Sequence, residues 1–269
     1  MKTFNHHGFE IGYEKISPCG SENVFLIHGN LASKEWWYPG IEMMKSRPGE
    51  GTVIAADWRG YGDSKGLTQT SEINFTTFAQ DFVALIEDQK LTDVNIVGHS
   101  TGGLIAMLAV LEKPQLFKSL ILLDSVGETG LELELPKEQV LAHFQKMSED
   151  RDYSRMVLAA TIQGCDPQSE SFSRLFEITM KADKVMFQGV IEVLSEQIDI
   201  TDRMKEITLP TLILHGQNDP VLKLEMSEHL HQLLPQSEYK VLENQGHSLN
   251  MENPERMVTE FTEFWSKLS

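Results

Sequence analysis

The chain has 269 residues, with 23 Lys and Arg set against 40 Asp and Glu for a formal net charge of −17. That balance excludes nucleic acid, which needs a basic face, and argues equally against docking on an anionic membrane surface. A hydrophobic content of 41% over this length describes a folded chain with one full-sized core and room for a modest insertion.

Phe9–Lys15 alternates polar and apolar residues and reads as an antiparallel edge strand, hairpinned with Lys2–Asn5. Val24–His28, Thr52–Asp57, Val94–Gly98, Leu120–Asp124, Thr211–His215 and Glu238–Glu243 follow as strands. Four of these are nearly continuous apolar runs, the pattern of a parallel sheet covered on both faces. Between them, Phe75–Glu87 carries apolar residues at helical spacing, and Thr101–Leu111 is apolar almost all round, as suits a central buried helix. Pro254–Leu268 predicts a last helix, with Asn253 as N-cap and Pro254 at its first position. The fold class is therefore α/β, a doubly wound sheet.

The strand–helix rhythm breaks after Asp124. Pro136–Met147, Asp152–Ile162, Ser171–Ala182 and Lys184–Leu194 read as four short helices, and the rhythm resumes at Leu209-Pro210-Thr211. The expected division is a body over 1–126 and 206–269 with a helical cap, or lid, over 127–205. The negative charge is shared between the two, as expected of a solvated surface rather than an acidic tail. Cys19 and Cys165 are far apart and outside any CxxC pair, so two free thiols in a reducing cytoplasm are expected. The N-terminus shows no continuous apolar stretch of a secretory signal, and no run approaches the roughly 20 residues of a membrane helix. No histidine or cysteine spacing marks a metal site, and none is expected.

Gly98-His99-Ser100-Thr101-Gly102 is a G-x-S-x-G pentapeptide set between a predicted strand and a predicted helix. An abrupt strand-to-helix turn lifts the Ser100 hydroxyl above the sheet edge, and the flanking glycines let backbone approach without a Cβ clash. A serine hydroxyl needs a base, and the base an orienting carboxylate. His247, in Asn244-Gln245-Gly246-His247-Ser248, lies just past the last strand and is the candidate base. Asp219, in Gly216-Gln217-Asn218-Asp219-Pro220, is the candidate acid, with Asp124 at the end of the preceding strand as the alternative. Singly, Asp219-Pro220 also reads as a turn and His247 as a surface loop residue; jointly, the order Ser…Asp…His favours a triad. Backbone N–H groups of Thr101 and Asn30 are the candidate oxyanion donors, with Leu31 a weaker choice. His28 reads as a loop brace. Trp36, Trp37, Phe144 and Met180 are candidates for lining the pocket, and each has packing as its plainer alternative.

These motifs resemble the α/β-hydrolase fold superfamily, in particular its capped serine hydrolases: carboxylesterases, lactonases and cofactor-free haloperoxidases. The resemblance spans essentially the entire chain. It rests on His28-Gly29, Asp57-Trp58-Arg59-Gly60-Tyr61-Gly62-Asp63-Ser64, the Ser100 pentapeptide, Leu120–Asp124, Gly216–Pro220 and Gly246-His247. It implies a mostly parallel central sheet flanked by helices, with the helical cap inserted after the sixth strand, and a scaffold role for Asp57 and Arg59. Serine at 100 sets the chain apart from dehalogenases and epoxide hydrolases, which use aspartate. The expected activity is cleavage of a carboxylic ester of a small or medium apolar acyl substrate through an acyl-enzyme. No cofactor, metal or obligate protein partner is called for. A lactonase, thioesterase, perhydrolase, carbon–carbon bond hydrolase or hydrolase-derived ligand receptor would carry the same motifs.

Overall fold

The computed structural model describes residues 2–268. Its strands are β1 (Lys2–His6), β2 (Phe9–Ile16), β3 (Val24–Ile27), β4 (Val53–Ala56), β5 (Val94–His99), β6 (Phe117–Leu123), β7 (Thr211–Gly216) and β8 (Ser237–Leu242). Among the described residues they form one eight-stranded sheet in the order β1-β2-β4-β3-β5-β6-β7-β8. The β1–β2 hairpin is antiparallel and joins β4 antiparallel, while every pairing from β4 through β8 is parallel. Each segment expected to be a strand is one.

The apolar runs are sorted by the two-residue repeat of a strand. Phe25 and Ile27 on β3, Ile96 on β5, and Leu120 and Leu122 on β6 face one core. Val24 and Leu26, Val97, and Ile121 and Leu123 face another. The first core is closed by α2 (Phe75–Asp88) and α3 (Thr101–Glu112), and the second by α1 (Tyr38–Lys45) and α10 (Pro254–Ser266). Asn253 caps α10 as expected, its side chain accepting the Arg256 N–H at 3.0 Å. Among the described residues three helices lie outside the expected set: α1, which opens on Tyr38-Pro39-Gly40, α8 (Leu224–Leu233) with only Ser227 and Leu230 buried, and the one-turn α9 (Leu249–Glu252). In α1, Gly40 is where α10 presses closest; a Cβ there would stand 2.4 Å from Met257 Cε.

A helical cap region follows β6: α4 (Lys137–Glu149), α5 (Arg151–Ala160), α6 (Glu170–Thr179) and α7 (Val185–Glu196). It does not pack as a separate unit. Met147, Phe172, Phe176, Met186 and Phe187 are buried in the same core as Trp58, Phe75 and Phe78 of the body. Most of the cap's large apolar residues thus serve its contact with the body, while Met156 is 70% exposed. Cys19 and Cys165 are both unpaired. Among the described residues no helix is long and apolar enough to cross a membrane.

One buried ion cluster holds the loop after β3. Lys34 is buried, and its Nζ donates to Asp57 Oδ2 at 2.6 Å and Asp63 Oδ2 at 2.5 Å, while its backbone N–H donates to Asp57 Oδ1. Burial opposes the ammonium, but the two carboxylates outweigh it and raise its pKa. Arg59 makes a similar brace, forked onto the buried Asp81 at 2.7 and 2.8 Å, which accords with a scaffold role for Asp57 and Arg59. Lys34→Met leaves Asp57 buried without its cation, and the expected cost is about 3–5 kcal/mol, read as a lower denaturation midpoint in urea.

Candidate active site

β5 runs straight into α3 with only Ser100 between them. Ser100 takes φ +53° and ψ −124°, a conformation that costs a non-glycine residue energy and here turns the chain sharply at the sheet edge. The turn is tight enough to specify its glycines. A Cβ on Gly98 would stand 2.3 Å from the Gly102 carbonyl oxygen, and one on Gly102 would stand 2.5 Å from the carbonyl oxygens of Ile27 and His28. Ser100 is held from behind as well, its N–H donating to Leu123 O at 2.9 Å.

His247 lies in the loop after β8 and Asp219 in the loop after β7, and the two meet: His247 Nδ1 is 2.7 Å from Asp219 Oδ2. Asp219 Oδ1 accepts the Val221 and Leu222 N–H groups at 2.6 and 3.0 Å. Burial works against the charge on Asp219, but hydrogen bonds from His215, His247 and the Leu222 N–H prevail and hold its carboxyl well below the usual range. Asp124 behaves in the opposite way. It is fully buried, its Oδ1 accepts the Gly216 N–H at 2.7 Å, and its Oδ2 has no hydrogen-bond partner among the described residues. Burial, with the nearby Asp219 charge, raises its pKa well above the ordinary value. The structure brings Asp219 to His247; Asp124 instead holds the strand end from which the Asp219 loop departs.

Asp124, His215 and Asp219 are close enough for their polar atoms to lie within 4.8 Å of one another, a grouping that invites a metal. Hydrogen bonding already engages the imidazole at both nitrogens. His215 Nδ1 meets the Ser227 hydroxyl at 2.7 Å, and Nε2 faces the Leu222 carbonyl at 3.2 Å and Asp219 Oδ2 at 3.3 Å. An N–H must occupy Nε2 to satisfy those acceptors, so the donor set does not fit a cation.

Ser100 and His247 open onto one cavity of about 410 Å³ beneath the cap. Asn30, Leu31, Thr101 and Trp36 from the body line it, with Phe144 from the cap. Two of the residues expected there are elsewhere. Trp37 is fully buried on the opposite face of the sheet, in the core shared with α1 and α10, because neighbouring residues of a tight helical turn point apart. Met180, just past the end of α6, is half-buried against the main core and is not among the cavity's lining residues. A larger groove of about 870 Å³ runs alongside, sharing residues 131–134 and 220–222 as a wall, but neither Ser100 nor His247 reaches it.

Several braces left no sequence signal. His99, the variable residue before Ser100, donates from Nε2 to the His247 carbonyl at 2.8 Å, and burial lowers its pKa to about 3, so it remains neutral. Glu252 accepts the N–H groups of Gly246 and Ser248, on either side of His247, at 2.6 and 3.0 Å. Gln163 of the cap reaches both loops, to Asn244 O at 3.0 Å and Asn218 Nδ2 at 3.1 Å. Thr179 at the end of α6 donates to Leu31 O at 2.9 Å, and Leu31 has φ +53°. The Tyr61 hydroxyl donates to Asn30 Oδ1. His28 is a loop brace as expected: Nδ1 donates to Gly29 O at 2.8 Å, and burial lowers its pKa to about 4.

A sequence model of the family described as the alpha/beta hydrolase fold matches residues 22–254. The chain belongs to the α/β-hydrolase fold family. It is 26% identical over 275 residues to monoacylglycerol lipase abhd6-A from Xenopus laevis, covering 93% of this chain and 77% of that protein. An uncharacterized hydrolase, YugF, from Bacillus subtilis is 23% identical, covering 98% and 97%. Among solved structures, the esterase EaEST from Exiguobacterium antarcticum superposes with a TM-score of 0.83 at 24% identity, covering 96% of each chain, a likeness of fold. The family and these relatives support a hydrolase activity for the chain.

Proposed function

We propose that the chain is a serine hydrolase that cleaves carboxylic esters of small or medium apolar acyl groups, with residues 127–205 acting as its lid. The observation that carries this reading is the 2.7 Å contact between His247 and Asp219, with His247 on the wall of the same cavity as Ser100. In this reading Asp219 accepts a hydrogen bond from His247 Nδ1–H, which fixes the ring proton there and leaves Nε2 unprotonated to take the proton of Ser100. The serine oxygen attacks the ester carbonyl, and the oxyanion is received by the N–H groups of Thr101, at the N-terminus of α3, and Asn30. His247 then protonates the departing alcohol, and water activated by the same imidazole releases the acyl group. Every charge that develops is met by this chain's own groups, so the steps run without a metal or organic cofactor. The cavity wall supplied by Phe144, Met147, Leu158 and Leu194 is apolar, which supports an apolar acyl group.

The test is covalent capture. A phosphonate ester that traps activated serines is expected to add once per chain, on the peptide containing Ser100, as read by mass spectrometry. A parallel panel of p-nitrophenyl esters is expected to be turned over, with a preference for short and medium chains. Failure to label Ser100, or labelling elsewhere with hydrolysis intact, overturns the assignment.

A further inference from the structure

The part of the cavity wall supplied by α4 is apolar except at one place. Val140, His143, Phe144 and Met147 share one face of α4 at i, i+3, i+4 and i+7 spacing, and all four line the cavity. An imidazole interrupts that stripe. Its Nδ1 is 2.8 Å from the Tyr153 hydroxyl of α5, across the helix pair. Among the described residues the Tyr153 hydroxyl has no other hydrogen-bond acceptor, and we assign it as the donor to Nδ1. That places the ring proton on Nε2, which has no partner there. Burial and the neighbouring Lys146 lower the pKa of His143, in keeping with a neutral ring. Lys146 itself sits over the Tyr153 ring, its Nζ 4.0 Å from the ring centre. With that assignment the ring carries an N–H donor on the otherwise apolar face of α4.

We propose that His143 is a specificity-determining residue whose Nε2–H donates to a neutral oxygen, keto, hydroxyl or ether, carried on the acyl chain of the ester. This deepens the ester-hydrolase reading and rests on it. The oxygen is neutral because the same cavity's rim carries the exposed Glu132 and Glu134 against the single Lys223 that pairs with Glu134, a net negative edge that disfavours an anionic chain end. A plain hydrocarbon chain leaves the N–H desolvated without a partner, whereas an oxygen at the right carbon satisfies it.

The experiment compares wild type with His143→Phe, which keeps an aromatic ring and removes the donor. The substrates are ethyl hexanoate and its 3-, 4- and 5-oxo analogues, followed by pH-stat. The quantity read is the ratio of kcat/KM, oxo over plain, in each protein; comparing that ratio between proteins cancels the intrinsic reactivity of each ester. The ratio is expected to fall about five- to tenfold in the variant for at least one oxo position. Tyr153→Phe, which frees the imidazole to change tautomer, is expected to lower the ratio at that same position, and it decides the matter if His143→Phe does not fold. Ratios that stay within about twofold of wild type at every position in the folded variants overturn the role of His143 while leaving ester hydrolysis intact. A wild-type protein that turns over none of the four esters overturns the ester reading and this inference together.

Discussion

Ser100→Ala is expected to lower kcat for ester hydrolysis by about 10⁴–10⁶-fold while leaving the thermal midpoint close to wild type. The size of the effect follows from the role proposed for the hydroxyl: without it no acyl-enzyme would form, and only the oxyanion donors and substrate binding would remain, worth about 10³–10⁴ over water. The structural side of the expectation comes from the backbone. Ser100 is held at φ +53° by its N–H bond to Leu123 and by contacts across Gly98 and Gly102, none of which involves the hydroxyl. Alanine keeps the same Cβ in the same strained turn, so the fold gains and loses little. Hydrolysis that persists near the wild-type rate in a folded Ser100→Ala protein removes the serine mechanism altogether. Loss of activity together with a collapsed thermal midpoint instead means that the turn depends on the hydroxyl, which the geometry around Ser100 gives no reason to expect.

Most of this architecture is readable in the linear chain because it depends on local chemistry. Buried parallel strands must be apolar on both faces, which makes Val24–Ile27 and Leu120–Leu123 stand out. A strand that turns abruptly into a helix needs the spacing of Gly98 and Gly102. The four cap helices were legible within a few residues from their apolar spacing, and the break in rhythm after Asp124 located the insertion. What escaped was whatever depends on which surfaces meet. Trp36 and Trp37 are adjacent and chemically identical, yet one lines the cavity and the other fills the opposite core. Phe144 and Met180 are both large, flexible or flat apolar residues of the cap, and only the register of α4 against the body decides that Phe144 faces the cavity. Gln163 acts on partners 81 and 55 positions away and Thr179 on one 148 away, so no window of sequence contains those contacts, whereas Glu252 is 6 and 4 positions from the N–H groups it accepts and carries no motif to mark it. His99 occupies a motif position at which any residue type satisfies the pattern, and its bond to the His247 carbonyl links two loops that only the folded sheet brings together.

The two buried carboxylates at the strand ends should respond to the same substitution in opposite ways. Asp219→Asn is expected to lower kcat by about 10³–10⁴-fold. The amide presents an N–H₂ or a weaker oxygen to His247 Nδ1. When the N–H₂ faces it, Nδ1 must accept, the ring proton moves to Nε2, and the base can no longer take the serine proton. Asp124→Asn is expected to cost less than about tenfold, because Asp124 touches Gly216 rather than His247 and its raised pKa already favours a neutral group there. Their pH signatures differ in sign. The carboxyl of Asp219, held below its ordinary range, contributes stability that is present above about pH 4 and is lost as pH falls through the folded value. The carboxyl of Asp124, held above it, contributes stability that is full below about pH 4 and is lost as pH rises through the folded value. Asp219→Asn should therefore weaken the acid-side fall of the thermal midpoint, and Asp124→Asn should weaken the decline on the side of rising pH. An Asp124→Asn protein with the larger loss of kcat would move the orienting acid to the end of β6. Asp219 would then be left as a charge that holds the loop after β7 through the Val221 and Leu222 N–H groups, and His247 would have to turn toward Asp124 during turnover.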